Sequence, residues 1–155
     1  MILSGYCNSV ELIPVVKNLS EDGKIQLQTN RIILLYVSAP TCAFCKNLEK
    51  KVISPLIRSG KYLDEIILRK IDRTSSIPIK DFSGNEMIPS VFLKRYDIQI
   101  TPTLLFLDAK GSQVIEPLLG YRGGEFFWYY FDIAINKANK RLENSSSSNK
   151  LQLPN

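Results

Sequence analysis

Two cysteines separated by two residues are the feature of this sequence best suited to chemistry. Cys42 and Cys45 lie in the stretch Cys-Ala-Phe-Cys, between an apolar run at 31–37 and a segment with helical periodicity. A cysteine in the first turn of a helix faces unpaired backbone N–H groups and the positive end of the helix dipole, and both favour the thiolate. We therefore expect Cys42 to be the nucleophile and Cys45, one helical turn further, to resolve a mixed disulfide formed on it. Thr41, just before the pair, is the expected N-cap of the helix.

The same spacing is also found in zinc sites, where four nitrogen or sulfur ligands surround the metal. This chain has three cysteines and no histidine, and Cys7 is the one cysteine outside the pair. A site with four thiolate ligands cannot be built within one chain, so redox exchange, which needs no cofactor, is favoured over metal binding. Two alternatives stay open: a pair of buried, inert thiols, and capture of a soft metal such as Cu(I) by the two thiolates. We assign no role to Cys7.

Strand and helix patterns alternate on both sides of the pair. Continuous apolar runs at 32–37 and 66–72 predict strands, the first of them covered on both faces. The segment from about 42 to 59 predicts a helix that Pro55 bends or interrupts near Ser54. The other predicted elements are, in chain order, a turn at 21–24, a long loop at 73–88 with its own turn at 82–85, a short helix at 89–96, a hairpin of strands 103–107 and 112–119, and a last helix at about 125–140.

Composition and charge limit the classes of function. The 155 residues fit one domain with a real core, and 45% hydrophobic with 23% charged content is ordinary for a soluble globular protein. No apolar run approaches the roughly 18–20 residues of a membrane helix, so no integral membrane segment is expected. The net charge of +5 is spread out rather than gathered in a basic stripe, which argues against nucleic-acid binding. The absence of histidine excludes Ser-His-Asp and Cys-His hydrolases and H-E-x-x-H metalloproteases.

The two ends of the chain differ from its middle. We expect a lead-in over 1–24, one folded domain over 25–142 and a disordered Ser/Asn-rich tail over 143–155. The first residues lack a basic region and are too short for a complete signal peptide, although they fit the end of one. Six consecutive aromatic residues at 126–131 cannot all face one side of a helix. Most are expected in the core, with Trp128 or Tyr129 exposed enough to contact a partner.

Glu49 is the acidic residue that helical spacing places beside the pair. It follows Cys45 by four residues and Cys42 by seven, so it is expected on the same helix face. A carboxylate there can accept or relay the proton of Cys45 while the disulfide forms or opens. The alternative is an exposed helical glutamate near Lys46 and Lys50.

The order of motifs resembles the thioredoxin superfamily over about residues 25–140. The Cys-x-x-Cys pair at a helix start is followed by a strand, a helix, the stretch Ile100-Thr-Pro-Thr-Leu-Leu-Phe-Leu-Asp108 and a closing strand and helix. The resemblance implies an α/β fold with a central mixed β-sheet flanked by helices. It also implies that Pro102 is cis and lies against the cysteines, that the backbone of Thr101 pairs with an extended substrate peptide, and that Gly120 is the family glycine beside the active site.

A narrower resemblance concerns the residues that follow the pair. Cys-Ala-Phe-Cys-Lys-Asn-Leu-Glu is similar to the Cys-x-x-Cys-Lys-x-x-Glu pattern of the C-terminal domain of DsbD and similar bacterial envelope proteins, which implies that Glu49 is the proton-handling acid. The chain departs from cytosolic thioredoxin in the Ala-Phe dipeptide between the cysteines and in Tyr36, which replaces the buried acid six positions before the first cysteine. These departures favour a specialised periplasmic member of the family, with a cytoplasmic one as the alternative.

The expected function is thiol–disulfide exchange with cysteine-containing substrate proteins and a redox partner protein, in the direction of a reductase. Phe44 and the loop at 73–88 are expected to select the partner, because the loop follows a parallel strand and the carboxyl ends of such strands carry the sites of α/β sheets. The alternative is a non-catalytic thioredoxin-fold binding module that uses the aromatic helix as its contact surface.

Overall fold

The computed structural model describes residues 13–150, so Cys7 and the possible end of a signal peptide lie outside the described residues. In chain order the elements are α1 (Leu19–Thr29), β1 (Ile32–Ser38), α2 (Ala43–Leu48), a π-helical turn (Glu49–Ile53), α3 (Ser54–Ser59), β2 (Ile66–Asp72), β3 (Ile79–Lys80), β4 (Glu86–Met87), α4 (Pro89–Phe92) continued by a 3₁₀ turn (Leu93–Tyr96), β5 (Thr103–Leu107), β6 (Leu118–Leu119) and α5 (Gly124–Lys150). The strands predicted at 66–72 and 103–107 and the short helix predicted at 89–96 are confirmed.

The main sheet has four strands in the order β2-β1-β5-β6. β1 runs parallel to β2 and antiparallel to β5, and β5 runs antiparallel to β6. All seven residues of β1 are buried, because helices cover both faces of the sheet. Side chains of α2, α3 and α5 pack on the face of Leu34 and Tyr36, whereas α1 and α4 pack on the face of Leu35 and Val37. The α/β fold with a mixed central sheet flanked by helices is therefore as expected.

The helix that follows the cysteines is interrupted just before Pro55, as the sequence predicts. The ring of Pro55 lacks an N–H and crowds the carbonyl four residues earlier, so the preceding turn widens. The backbone N–H of Ser54 donates to the carbonyl oxygen of Glu49, five residues back, which closes the π-helical turn. This wider turn begins at Glu49.

The N-terminal prediction is wrong in one respect, because the turn expected at 21–24 is part of α1. Asn18 caps this helix, its side-chain oxygen accepting the backbone N–H of Ser20 at 3.1 Å. Gly23 does not mark a turn: a Cβ there would lie 2.5 Å from the carbonyl oxygen of Ala109, so glycine allows α1 to pack closely on the β5–β6 connection. The boundary expected between residues 24 and 25 accordingly falls inside a helix that packs on the core.

The strand predicted at 112–119 is only partly formed. Gln113 bridges Leu107, and regular pairing resumes with Leu118 opposite Leu104. Residues 114–117 therefore face only two residues of β5, and the extra length bulges out with the side chain of Ile115 turned into the core. Pro117 has no N–H to give to the ladder, which is consistent with the break.

The last helix is longer, and its aromatic run more exposed, than expected. Its buried stripe repeats every three or four residues, and the members of the aromatic run that belong to it are Phe127 and Phe131. The expectation that most of the run lies in the core is wrong, since Trp128 is half-buried and the other members are exposed: Phe126, Tyr129 and Tyr130.

Disorder from residue 143 is also contradicted as far as Lys150, the last residue described, because α5 extends that far. Leu142 is buried and anchors this end of the helix on the core. The hydroxyls of Ser145 through Ser148 each donate to the carbonyl oxygen four residues earlier, at 2.9–3.0 Å, so the serines bond back onto the helix. Residues 151–155 lie outside the described residues.

Candidate active site

Cys42 and Cys45 form a disulfide at the start of α2, with their Cα atoms 5.2 Å apart. Cys42 itself is the N-cap, a position expected for Thr41, and its Sγ accepts the backbone N–H of Cys45 at 3.1 Å. Cys42 is partly exposed, whereas Cys45 is 1% exposed. The geometry thus presents one sulfur to solvent and aims a backbone N–H at it.

The elements around the pair hold it firmly. β1 ends at Ser38, and the backbone N–H of Cys42 donates to the carbonyl oxygen of Ala39 at 3.2 Å, which closes the turn between strand and helix. Cys45 and Leu48 are the buried residues of α2 and pack in the same core cluster as Tyr36 of β1. The apolar strand and the apolar stripe of α2 therefore place the disulfide at the carboxyl end of β1.

A polar cluster lies beneath the pair. The hydroxyl of Tyr36 donates to Glu49 Oε1 at 2.9 Å and lies 3.4 Å from the carbonyl oxygen of Cys45. The Nζ of Lys70 donates to the same Glu49 oxygen at 2.6 Å. Glu49 and Lys70 keep 27% and 28% of their side chains exposed, whereas Tyr36 is fully buried. Burial, reinforced by the hydrogen bond to Glu49 and its charge, raises the pKa of Tyr36 well above the usual value of a phenol.

This cluster changes the interpretation of Glu49. The carboxylate pairs with Lys70 of β2, not with the neighbouring helical lysines Lys46 or Lys50. Sequence reasoning missed the parts played by Tyr36 and Lys70, which lie directly opposite each other in the β1–β2 register. The available signal was a pair of basic residues, Arg69 and Lys70, inside a strand that begins as an apolar run.

The Thr101–Pro102 peptide bond is cis, and Pro102 is buried. The carbonyl oxygen of Pro102 accepts the backbone N–H of Gly120 at 2.8 Å, which ties the turn before β5 to the end of β6. Gly120 adopts a φ of +72°, a left-handed conformation that favours glycine.

An open groove of about 290 Å³ adjoins the disulfide turn. It brings together three of the residues expected at the site, Phe44, Thr101 and Gly120. Phe44 stands between the two cysteines and is 61% exposed. The other residues that line the groove are Ile100, Leu119, Tyr121 and Arg122.

The loop at 73–88 begins beside the site and then turns away from it. The backbone N–H of Arg73 donates to the carbonyl oxygen of Ser38 at 3.0 Å, at the end of β1. Strands β3 and β4 then form a hairpin whose Ile79 packs with α1, on the face of the sheet away from α2. The predicted turn at 82–85 is confirmed, with Gly84 at a φ of +86°. The role of this loop in choosing a partner stays a prediction.

Asp81 organises that turn. Its Oδ1 accepts the backbone N–H groups of Ser83 and Asn85, each at 2.9 Å, and the Arg95 guanidinium lies 3.5 Å from Oδ2. Burial alone would raise the pKa of Asp81, but the hydrogen bonds from Asn85 and Ser83 and the charge of Arg95 outweigh it and hold the pKa below its usual value.

The described residues offer neither a metal-binding cluster nor a membrane-spanning helix. Between residues 13 and 150, no group of three or more His, Cys, Asp or Glu side chains is arranged to hold a metal ion. Over the same range, no helix combines the length and the apolar character needed to cross a membrane.

Comparison with known proteins identifies the architecture. A family model described as a thioredoxin-like domain matches residues 19–135. No curated protein matches the chain. Solved structures similar to the chain include a thioredoxin from Thermus thermophilus (16% identity, TM-score 0.60, covering 82% of this chain and 91% of that one), the oxidised C-terminal domain of DsbD from Neisseria meningitidis (18%, 0.52, 76% and 97%), and a thioredoxin-fold protein from Helicobacter pylori (17%, 0.54, 74% and 81%). At these identities the likeness concerns the fold alone.

Proposed function

Since the chain belongs to the thioredoxin-like family, we propose that it is a thiol–disulfide oxidoreductase that exchanges disulfides with partner proteins. The observation that carries the proposal is the Cys42–Cys45 disulfide at the start of α2, with one sulfur partly exposed and the other buried. This difference supports Cys42 as the sulfur that meets a partner and Cys45 as the sulfur that resolves the complex.

In the proposed reduction, the Cys42 thiolate attacks one sulfur of a disulfide in the partner. The bond between the partner's two sulfurs breaks, the outgoing thiolate takes up a proton, and a mixed disulfide joins Cys42 to the partner. Cys45 then gives up its proton and attacks the Cys42 sulfur, which releases the second thiolate of the partner and forms the Cys42–Cys45 disulfide. Two electrons pass to the partner, and a protein dithiol must return two electrons to the pair before the next cycle.

The start of α2 supports the first step. The backbone N–H of Cys45 that points at Cys42 Sγ would also donate to a thiolate there. The positive end of the helix dipole acts in the same direction, so both effects stabilise the attacking form of Cys42.

Glu49 is the proposed acceptor of the Cys45 proton. The Tyr36 hydroxyl bonds Glu49 and also lies near the carbonyl oxygen of Cys45, which supports a carboxylate held beside the resolving cysteine. The 27% exposure of the Glu49 side chain lets a proton pass on to water. Lys70 balances the negative charge of the carboxylate.

The groove beside the disulfide is the proposed place for the partner's polypeptide. Thr101 offers a backbone next to the cis peptide bond, and Phe44 and Gly120 form the sides of the groove. An extended segment pairing with Thr101 would bring its own cysteine to Cys42, as peptides bind to other exposed backbone edges.

The proposal also covers the direction of the disulfide exchange and the compartment in which it takes place. The Cys-x-x-Cys-Lys-x-x-Glu pattern, shared with envelope proteins of the DsbD type, supports a reductase that works in the bacterial periplasm. Its partners would be oxidised substrate proteins on one side and a reducing redox protein on the other.

Two matched cysteine variants test the proposal. The wild-type chain should accelerate the reduction of insulin by dithiothreitol, and Cys42→Ser should abolish that activity. Cys45→Ser should still attack but should stop at the mixed disulfide, which intact-mass spectrometry detects. A Cys42→Ser protein that kept wild-type reductase activity would rule out the mechanism.

A second candidate is a non-catalytic binding module, favoured by the exposed Phe126 and Tyr130 on α5. In that case Cys42→Ser would capture the same partners with unchanged affinity and would restore the phenotype of cells that lack the protein. Loss of both properties in Cys42→Ser would reject the binding module.

A further inference from the structure

We propose that a groove between β6 and α5 binds the segment of a substrate protein that flanks its reactive cysteine. The inference rests on the proposed function and adds the kind of segment that is preferred. That segment carries a large apolar side chain and an acidic side chain close to the cysteine.

The groove beside the disulfide continues into this second one, which we call the aromatic groove. The aromatic groove measures about 180 Å³ and is lined by Leu118, Leu119, Gly120, Arg122, Gly123, Phe126, Phe127 and Tyr130. Leu119, Gly120 and Arg122 line both grooves, so one channel extends from Phe44, between the cysteines, to the first turns of α5. A polypeptide held at Cys42 can therefore reach the aromatic groove without leaving the surface.

The aromatic groove is apolar and open. Phe126 and Tyr130, four residues apart on α5, share one helix face and are 78% and 57% exposed. Leu119, on the opposite wall, is 63% exposed. A contiguous set of exposed large apolar side chains beside a reactive site is typical of a recognition surface, and aromatic side chains contribute most strongly there. The complementary feature of a partner is a large apolar side chain.

The charge of the groove lining indicates a second feature of the substrate segment. Among the described residues that line either groove, Arg122 alone is charged, and its side chain is exposed. A guanidinium pairs best with a carboxylate, through two parallel hydrogen bonds. An Asp or Glu side chain near the partner's cysteine would meet Arg122 where the two grooves join.

A substrate segment fits this surface better than a second copy of the chain. Isologous pairing through the aromatic groove would place Arg122 of one copy near its equivalent in the other, between two molecules of net charge +5. It would also cover Phe44 and Thr101 beside the disulfide. A substrate joined to Cys42 by a mixed disulfide, in contrast, presents its flanking residues to the groove at a high effective concentration.

Synthetic peptides in a single-cysteine background test the inference. The full chain carries Cys7→Ser and Cys45→Ser, so that Cys42 is the one thiol. Each peptide has one cysteine bearing a thionitrobenzoate group, and attack by Cys42 on the peptide sulfur releases the coloured thionitrobenzoate, the better leaving thiolate. One peptide has Phe and Asp before its cysteine, and a second has them after its cysteine. In the control peptide, Ser replaces the Phe and Lys replaces the Asp.

One of the two Phe/Asp peptides should react about tenfold faster than the control, the effect of a typical interface anchor. Phe126→Ser should lower this preference, leaving only the part that pairing of the Asp with Arg122 supplies. Tyr129→Ser, a matched change at a residue of the same helix that is 63% exposed and lines neither groove, should keep it. Arg122→Glu should lower the rate at which Cys42 attacks the peptides that contain Asp and raise the rate for the control peptide, which contains Lys. Equal urea midpoints would verify that the variants remain folded.

The outcomes separate the inference from the proposed function. If Cys42 reacts with the small disulfide of thionitrobenzoate but attacks all peptides equally, or if Phe126→Ser retains the full preference, the aromatic groove has no role in recognition while the oxidoreductase stands. If Cys42 does not react with the small disulfide either, both fail. A wild-type dimer that Phe126→Ser converts into a monomer in sedimentation would overturn the inference in favour of a second copy.

Discussion

Replacing Tyr36 with Phe removes one hydroxyl from the polar cluster and little else. The ring of Tyr36 is fully buried, and Phe fills the same space, so no cavity forms. The lost interactions are the hydrogen bond from the hydroxyl to Glu49 Oε1, 2.9 Å long, and the longer contact with the carbonyl oxygen of Cys45, at 3.4 Å. The experiment therefore removes the contacts that link β1 to the acid and to the buried cysteine.

The expected loss of stability follows from the surroundings of Glu49. A hydrogen bond to a charged group contributes about 1.5–3 kcal/mol. Glu49 keeps the ammonium of Lys70 at 2.6 Å and is 27% exposed, so water can partly replace the hydroxyl. We therefore expect Tyr36→Phe to lower the free energy of unfolding by about 1.5 kcal/mol, the lower end of that range.

Urea unfolding of the oxidised protein measures this difference, and Tyr121→Phe is the matched control. Tyr121 is also a buried tyrosine, at 5% exposure, but among residues 13–150 its hydroxyl has no hydrogen-bond partner. Removing an unpaired buried hydroxyl costs no hydrogen bond, so Tyr121→Phe should leave stability unchanged or raise it by about 1 kcal/mol. Equal effects of the two substitutions would refute the proposed contact.

The difference should also depend on pH in a defined direction. The pKa of Tyr36 is raised in the folded protein by burial and by Glu49, so the phenol stays protonated while its unfolded counterpart ionises above about pH 10. The free energy of unfolding of the wild type therefore falls as pH rises above about 10, whereas Tyr36→Phe has no phenol at this position and does not show this decrease. The stability gap between the two proteins should narrow above about pH 10, and a gap that widened would contradict the assignment.

Three further substitutions have defined outcomes. Glu49→Gln should slow the resolution of a mixed disulfide on Cys42 about a hundredfold, which is the lower end of the effect of general acid–base catalysis, and should not slow the first attack. Acid quench and mass spectrometry follow both steps, and an equal slowing of the two would argue against proton transfer by Glu49. Asp81→Asn should lower the free energy of unfolding at neutral pH, and this loss should shrink only as pH falls below about 4 and through the lowered pKa of Asp81 in the folded protein. Urea midpoints measured along an acid titration would contradict this if the gap between the two proteins did not depend on pH. Gly23→Ala should cost about 1–3 kcal/mol because its Cβ would meet the carbonyl oxygen of Ala109, and an unchanged midpoint would contradict that close packing.

Elements with a strong local pattern could be predicted from the sequence. β1 and β5 are buried throughout and almost entirely apolar because they lie inside the sheet, and Pro55 disturbs its helix through its own ring. Gly23 was misinterpreted because glycine serves both turns and close packing, and the deciding contact is with Ala109, far along the chain. The serine-rich end of α5 looked disordered because composition does not show that Leu142 is buried on the core.

The same distinction applies to the site. The sequence could predict that three site residues lie near one another, because their spacing follows one helix: Cys42, Cys45 and Glu49. The partners of Glu49 come from two strands, and a single sequence does not show that Tyr36 faces Lys70 across β1 and β2. Local spacing pointed instead to lysines of the same helix, which the structure does not pair with Glu49.

The reduction potential of the Cys42–Cys45 pair tests the central claim most directly. The purified chain, with Cys7 replaced by serine, is equilibrated with dithiothreitol or glutathione buffers, and the fraction of disulfide is read by thiol alkylation and mass spectrometry. A reductase predicts a potential near about −270 mV, as in thioredoxin. A value near about −120 mV, as in the oxidant DsbA, would contradict the direction. A pair that formed no disulfide in any buffer would contradict the oxidoreductase itself.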